Sequence, residues 1–192
     1  MAALKEKLFE AYGSAPTTAQ TLNATKMIIG ELISIAKEAS VFANQYRDFN
    51  VGGVVLGLRF KNNMAENPWA VLFDANTKPT KDGDSKWCAV QYLMDRAESV
   101  EEEIDQILSF VVVGEPQTND DSKKTQATLT PCKLCRDRML EIATTEDESR
   151  NMAFRISLKT EVVTAHIENT GLRKYQRVED LLTFHGEYAE ID

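Results

Sequence analysis

The sequence predicts an α/β sandwich. Segments with apolar residues at helical spacing alternate along the chain with short β-branched runs, and one of those runs, Ile107 to Val113, is apolar almost throughout. A strand of that kind is buried on both faces and belongs at the centre of a sheet. At 192 residues, 43% of them apolar and 27% charged, the chain suits one core that buries roughly 70% of its unfolded surface.

Residues 1 to 20 read as an N-terminal extension, a charged amphipathic stretch from Leu4 to Tyr12 followed by the turn-rich Gly13 to Thr18; residues 21 to 192 read as a single domain. From Thr21 to Ala43 apolar residues at Met27, Ile28, Leu32, Ile35, Ala36 and Ala39 recur at three and four, which predicts one helix with one buried stripe. Val51 to Phe60 and Pro68 to Phe73 flank a polar turn and read as a hairpin. A Lys-, Asp- and Gly-rich loop over 77 to 86 leads to a helix from Cys88 to about Ser99. Ile107 to Val113 is the central strand, ended by Gly114, and residues 115 to 129 form a long polar loop of the sort that is functional or mobile in a compact domain. A helix from Cys132 to about Ala143 follows, then strands near Met152 to Leu158 and Glu161 to Ile167, and a short helix around Val178 to Leu182.

A formal charge of −8 and a pI near 4.9 disfavour nucleic acid, because affinity for phosphates comes from Lys and Arg displacing counterions. No run of about 18 apolar residues exists, and Met1 to Lys7 lacks the basic-then-apolar order of a signal peptide. A soluble, cytoplasmic protein without a membrane partner is the expectation.

The three cysteines carry the chemistry. Cys132 and Cys135 stand one helical turn apart behind Pro131, so both sulfurs share a face at a helix N-terminus, and Cys88 opens another helix. A helix N-terminus carries about half a positive charge and favours thiolate over thiol. Three protein thiolates with a fourth position open describe a catalytic zinc site rather than a structural one, and the spacing matches a zinc deaminase pattern. His166 and His185 are distant in sequence, so a fourth ligand would have to be brought in by the fold. Two plainer readings stand beside this one. Buried free cysteines act as small hydrophobes, and a redox Cys-x-x-Cys would pair Cys132 with Cys135.

From these residues the chain resembles the small zinc-dependent cytidine deaminases. Pro131 to Glu141 looks like the family's Pro-Cys-x-x-Cys-Arg-Gln helix, Phe49-Asn50-Val51-Gly52-Gly53 like its Phe-x-Val-Gly-Ala segment, and Val178 to Leu182 like its closing Leu-Leu segment. The resemblance spans about residues 22 to 186. It implies a three-layer α/β/α sandwich with a mixed sheet of about five strands, one Zn²⁺ per chain on Cys88, Cys132 and Cys135, and a homo-oligomer, dimer or tetramer. It implies that Arg136 donates to a ligand sulfur, that Phe49 faces a pyrimidine, that the Thr130 carbonyl meets the leaving ammonia, and that the Ala89 N–H meets the base carbonyl. Two of these have a plainer alternative: Arg136 as a solvated helix charge, Phe49 as core.

Two departures bear on activity. The family's Glu, two residues after the first ligand, shuttles the proton from water to the ring nitrogen and the departing amine; here that position is Val90, which has no ionisable group. Gln91 cannot act as a base, and Glu115, a candidate substitute, reads more simply as a solvated loop charge. The family's ribose-gripping Asn-x-Glu has Asn76 here but Lys78 in place of the acid. The expectation is a hydrolytic zinc deaminase of cytidine or a related amino-pyrimidine, impaired at position 90 as an inactivated variant or a divergent member. The alternative is an inactive, zinc-binding regulatory module.

Overall fold

A computed structural model describes residues 1–45, 49–60, 67–78, 88–99, 104–115, 128–145 and 155–183. Its strands are β1 (Asn44–Gln45), β2 (Gly52–Leu58), β3 (Trp69–Ala75), β4 (Thr77–Lys78), β5 (Gln106–Gly114), β6 (Glu161–His166) and β7 (Arg173–Arg177). Five of them form one mixed sheet in the order β3-β2-β5-β6-β7, in which only β5 and β6 run parallel; β1 and β4 pair separately. The expected hairpin is β2 against β3, in register from Gly52 opposite Ala75 to Leu58 opposite Trp69.

Alternation along the strands divides the core into two layers, as a period of two requires. Val54, Leu56 and Leu58 of β2 join Val111 and Val113 of β5 on one side, under helices α1 (Ala2–Tyr12), α2 (Thr18–Met27) and α3 (Ile29–Ser40). Val55, Phe110 and Val112 face the other side, with α4 (Ala89–Glu98), α5 (Lys133–Thr144) and the 3₁₀ turn Val178–Thr183. The domain is therefore a three-layer α/β/α sandwich, with Ile107 to Val113 at its middle strand as expected. No helix among the described residues is long and apolar enough to cross a membrane.

Four details differ from expectation. The helix expected over 21 to 43 is two helices, broken at Ile28 (φ −116°, ψ 17°). The first starts early because Thr17 and Gln20 close a reciprocal capping box, Gln20 N–H donating to Thr17 Oγ1 and Thr17 N–H to Gln20 Oε1 (2.7 Å). Residues expected as an extension pack into the domain: Leu4 and Leu8 are buried, and the Tyr12 ring lies 5.9 Å from that of Trp69 on β3. Among the described residues the only ladder contact between Arg155 and Leu158 is a single parallel bridge from Arg155 to Gln106, and residues 152–154 of that expected strand lie outside the described residues. The edge strand β7 lies where no strand is expected, since Arg-Lys-Tyr-Gln-Arg offers no apolar alternation; such charge on an outer strand blocks edge-to-edge association.

Gly52 and Gly53 set how closely the two helical layers approach the sheet. A Cβ at Gly52 would collide with the Ala36 carbonyl oxygen of α3, and one at Gly53 would lie 2.8 Å from Leu93 Cδ1 and 3.2 Å from Ala89 Cβ of α4. The obstacle at Gly52 is helix backbone, which cannot move aside as a side chain can. Gly52→Ala should cost about 2–3 kcal/mol, the upper range for overpacking. Urea unfolding would show it as a lower midpoint with an unchanged m-value; an unchanged midpoint would mean that α3 is not seated as described.

Candidate metal centre

Cys88 and Cys132 occupy equivalent places, each the extended N-cap residue of a helix, α4 and α5 respectively. Cys88 makes no side-chain hydrogen bond that caps its own helix. Cys135 follows in the first turn of α5 and is buried. Gly53 lets the start of α4 lie against β2. The segment before α5 is pinned from below: Thr164 Oγ1 of β6 donates to Thr128 Oγ1 (2.9 Å), and Leu129 enters the core. These anchors bring together residues that are 44 and 47 positions apart.

The three sulfurs lie within 4.8 Å of one another, the only group of metal-binding side chains of this kind among the described residues. A tetrahedral zinc with bonds of about 2.3 Å holds its sulfurs roughly 3.8 Å apart. Cys132 Sγ lies 3.6 Å from Cys88 Sγ and 3.0 Å from Cys135 Sγ. The Cys88 and Cys135 sulfurs approach each other most closely, so the tightest approach is not the Cys132–Cys135 pairing a redox motif would make. The Cα atoms of Cys88 and Cys135 stand 7.8 Å apart, wider than the roughly 4.4–6.8 Å a disulfide spans. Backbones too far apart for a bridge, with sulfurs facing one point, suit ligands on a shared ion. The residues present therefore fit a three-thiolate zinc.

Burial pushes the Cys132 thiol up, opposed by the N–H of Cys135, the Arg136 charge and the N–H of Leu134. Although Cys132 is exposed as a residue, its sulfur is crowded by the other two. A bound cation reverses that balance, since a coordinated thiol is deprotonated outright. Arg136, expected to reach a ligand sulfur, donates from Nη1 to the Pro131 carbonyl at 2.8 Å. It thereby tightens the turn that carries Cys132.

Val90 sits in the first turn of α4, 3% exposed, in the same apolar cluster as Cys135, Leu129 and Phe110. Ala89 beside it is fully buried, and its N–H is among the first four of a helix, which have no acceptor within it. Thr130 is half-buried between the Thr128 anchor and Pro131, and Phe49 is half-buried against the Val90 cluster. Glu115 is exposed just beyond β5. His166 is buried with Nδ1 accepting from the N–H of Glu168 and Asn169, outside the sulfur group. His185, Trp87 and the Lys78 side chain lie outside the described residues.

Asn76, the expected sugar contact, follows β3 directly. It is 5% exposed, its Oδ1 accepts from Val51 N–H (2.9 Å) and its Nδ2 donates to the Phe49 carbonyl (2.8 Å). The carboxamide thus holds the segment that presents Phe49. Sequence reading also missed Arg138, which joins α5 to α4 through Asp95 (2.6 Å) and Glu98 (3.2 Å). The signal was there in the spacing: Asp95 lies two turns after Cys88, and Arg138 one turn after Cys135.

No protein-family model and no curated protein sequence matches this chain. Solved structures do match. The cytidine deaminase from Burkholderia pseudomallei has a TM-score of 0.54 at 20% identity, covering 82% of this chain and 98% of that one. The cytidine deaminase from Mycobacterium tuberculosis has 0.50 at 16%, covering 83% and 98%, and that from Mycobacterium leprae 0.50 at 13%, covering 81% and 97%. At such identities the likeness is one of architecture: this chain has a cytidine deaminase-like α/β fold.

Proposed function

We propose that this chain binds one Zn²⁺ through Cys88, Cys132 and Cys135 and takes an amino-pyrimidine or its nucleoside beside it, as a hydrolytic deaminase whose proton transfer is impaired by Val90. The convergence of three sulfurs from two helix N-termini carries the reading. Zinc held this way would supply Lewis-acid activation of water. In deamination the ring carbon gains oxygen from water and releases its amine as ammonia, so protons must move from the water to the ring nitrogen and to the amine. On the protein side, Phe49 would face the ring, the Ala89 N–H would meet the ring carbonyl, and the Thr130 carbonyl would accept from the departing amine. Val90 can hold no proton, and positioned proton transfer typically contributes about 10²- to 10⁴-fold. Two or four copies and a cytoplasmic setting belong to the same reading.

A second reading has support of its own. Val90 is packed into the core rather than set loosely beside the sulfurs, which suits a module that binds its ligand without turnover and keeps zinc as a staple. Both readings expect about one zinc per chain by elemental analysis and saturable binding of cytidine, deoxycytidine or cytosine by calorimetry. A purified chain that takes up no zinc, with thiols that cycle reversibly under oxidant and reductant, would sink both and leave the redox reading.

A further inference from the structure

We propose that Arg138 is a positioning residue for the metal centre: its guanidinium bridges the two cysteine-bearing helices and sets the sulfur triangle. The proposal rests on the reading of Cys88, Cys132 and Cys135 as ligands of one ion.

No single helix carries all three sulfurs. Cys88 rides at the start of α4, Cys132 and Cys135 at the start of α5, so the geometry offered to an ion depends on how the two helices stand relative to each other. Apolar packing alone tolerates small slides, whereas zinc needs bond lengths near 2.3 Å and tetrahedral angles. Arg138 Nη1 donates to Asp95 Oδ1 at 2.6 Å and Nη2 to Glu98 Oε2 at 3.2 Å. The two acids lie one turn apart on α4, Asp95 two turns beyond Cys88 on nearly the same face, and Arg138 lies one turn beyond Cys135. The fork therefore ties α5 to α4 one turn beyond Cys135 and two turns beyond Cys88. A planar guanidinium gripping two carboxylates restricts rotation as well as distance, which a single point charge does not. Arg138 is only 24% exposed, against 38% for Asp95 and 49% for Glu98. Bridges this exposed contribute little to stability; what this one contributes is alignment. Groups that orient metal ligands from outside the coordination sphere typically change affinity by about 10- to 100-fold when removed.

The test uses the full chain, stripped of metal and reloaded, with zinc affinity measured by competition against a chromogenic chelator and site geometry by the absorption bands of the Co²⁺ form. Arg138→Met keeps the aliphatic stem but not the fork. It should weaken zinc by about 10- to 100-fold and shift the Co²⁺ bands, while the metal-free melting temperature stays near the parent's. Arg138→Lys should recover part of the loss. Asp95→Asn should weaken zinc as well, and the double variant with Arg138→Met should fall no further than the worse single change, because the two act through one contact. Zinc affinity within about twofold of the parent in Arg138→Met and Asp95→Asn, with unshifted Co²⁺ bands, overturns the positioning role alone. A parent chain that binds neither Zn²⁺ nor Co²⁺ overturns the ligand assignment and this role with it.

Discussion

Val90→Glu is expected to raise ammonia release from cytidine or a related amino-pyrimidine by about 10²- to 10⁴-fold over the parent chain. Position 90 lies in the first turn of α4, where a carboxylate gains from the helix dipole, and in an apolar cluster, where burial lifts a carboxyl's pKa. A carboxyl raised toward neutrality can both take a proton from water and return it to a leaving amine. The substitution also places a longer, polar side chain at a site only 3% exposed, so a stability loss of about 1–3 kcal/mol should accompany the gain. The assay is ammonia release by the zinc-loaded parent and variant side by side, with zinc content determined on each. If the variant is folded and zinc-replete, binds the ligand and releases no ammonia, the site has diverged beyond position 90 and the binding-module reading prevails.

Cys135→Ser should abolish stoichiometric zinc. The hydroxyl stays neutral at physiological pH where a coordinated thiol ionises, so the site loses a charge as well as its soft donor. Cys135 is 1% exposed and belongs to the core cluster at the root of α5; two remaining sulfurs cannot hold an ion against solvent in that geometry. Because metal bound only by the native state stabilises it by mass action, the parent's melting temperature should rise with added zinc and fall with chelator. The Cys135→Ser variant should melt at one temperature under both conditions. Differential scanning fluorimetry with zinc and with EDTA reads both, and a zinc-dependent shift retained in the variant would remove Cys135 from the ligand set.

What could be read from the sequence was what neighbours along the chain decide. The unbroken apolar run at Ile107 to Val113 placed the middle strand, alternation on either side of a polar turn placed the β2–β3 hairpin, and Pro-Cys-x-x-Cys placed two sulfurs on one helix start. Reading failed where local pattern was weak or misleading. The 3.6-residue stripe runs through Ile28 with no break visible in it, although the helix bends there. Strand β7 carries four residues that by themselves suggest surface loop, and it forms only because β6 offers it an edge. The bonds from the Asn76 amide to the backbone of Phe49 and Val51 join segments that no local pattern connects.

By itself the sequence determined the α/β class, the helix starts at which the cysteines stand, and the absence of a titratable group at position 90, because these depend on side-chain type and on spacing within one element. Only the tertiary structure decided how closely Cys88 approaches Cys132 and Cys135, that α1 packs into the core, and that Arg138 spans α4 and α5. Those contacts join segments tens of residues apart. Their distances follow from how closely helices approach the sheet, which at Gly52 and Gly53 turns on the missing Cβ, and no periodicity along the chain records that.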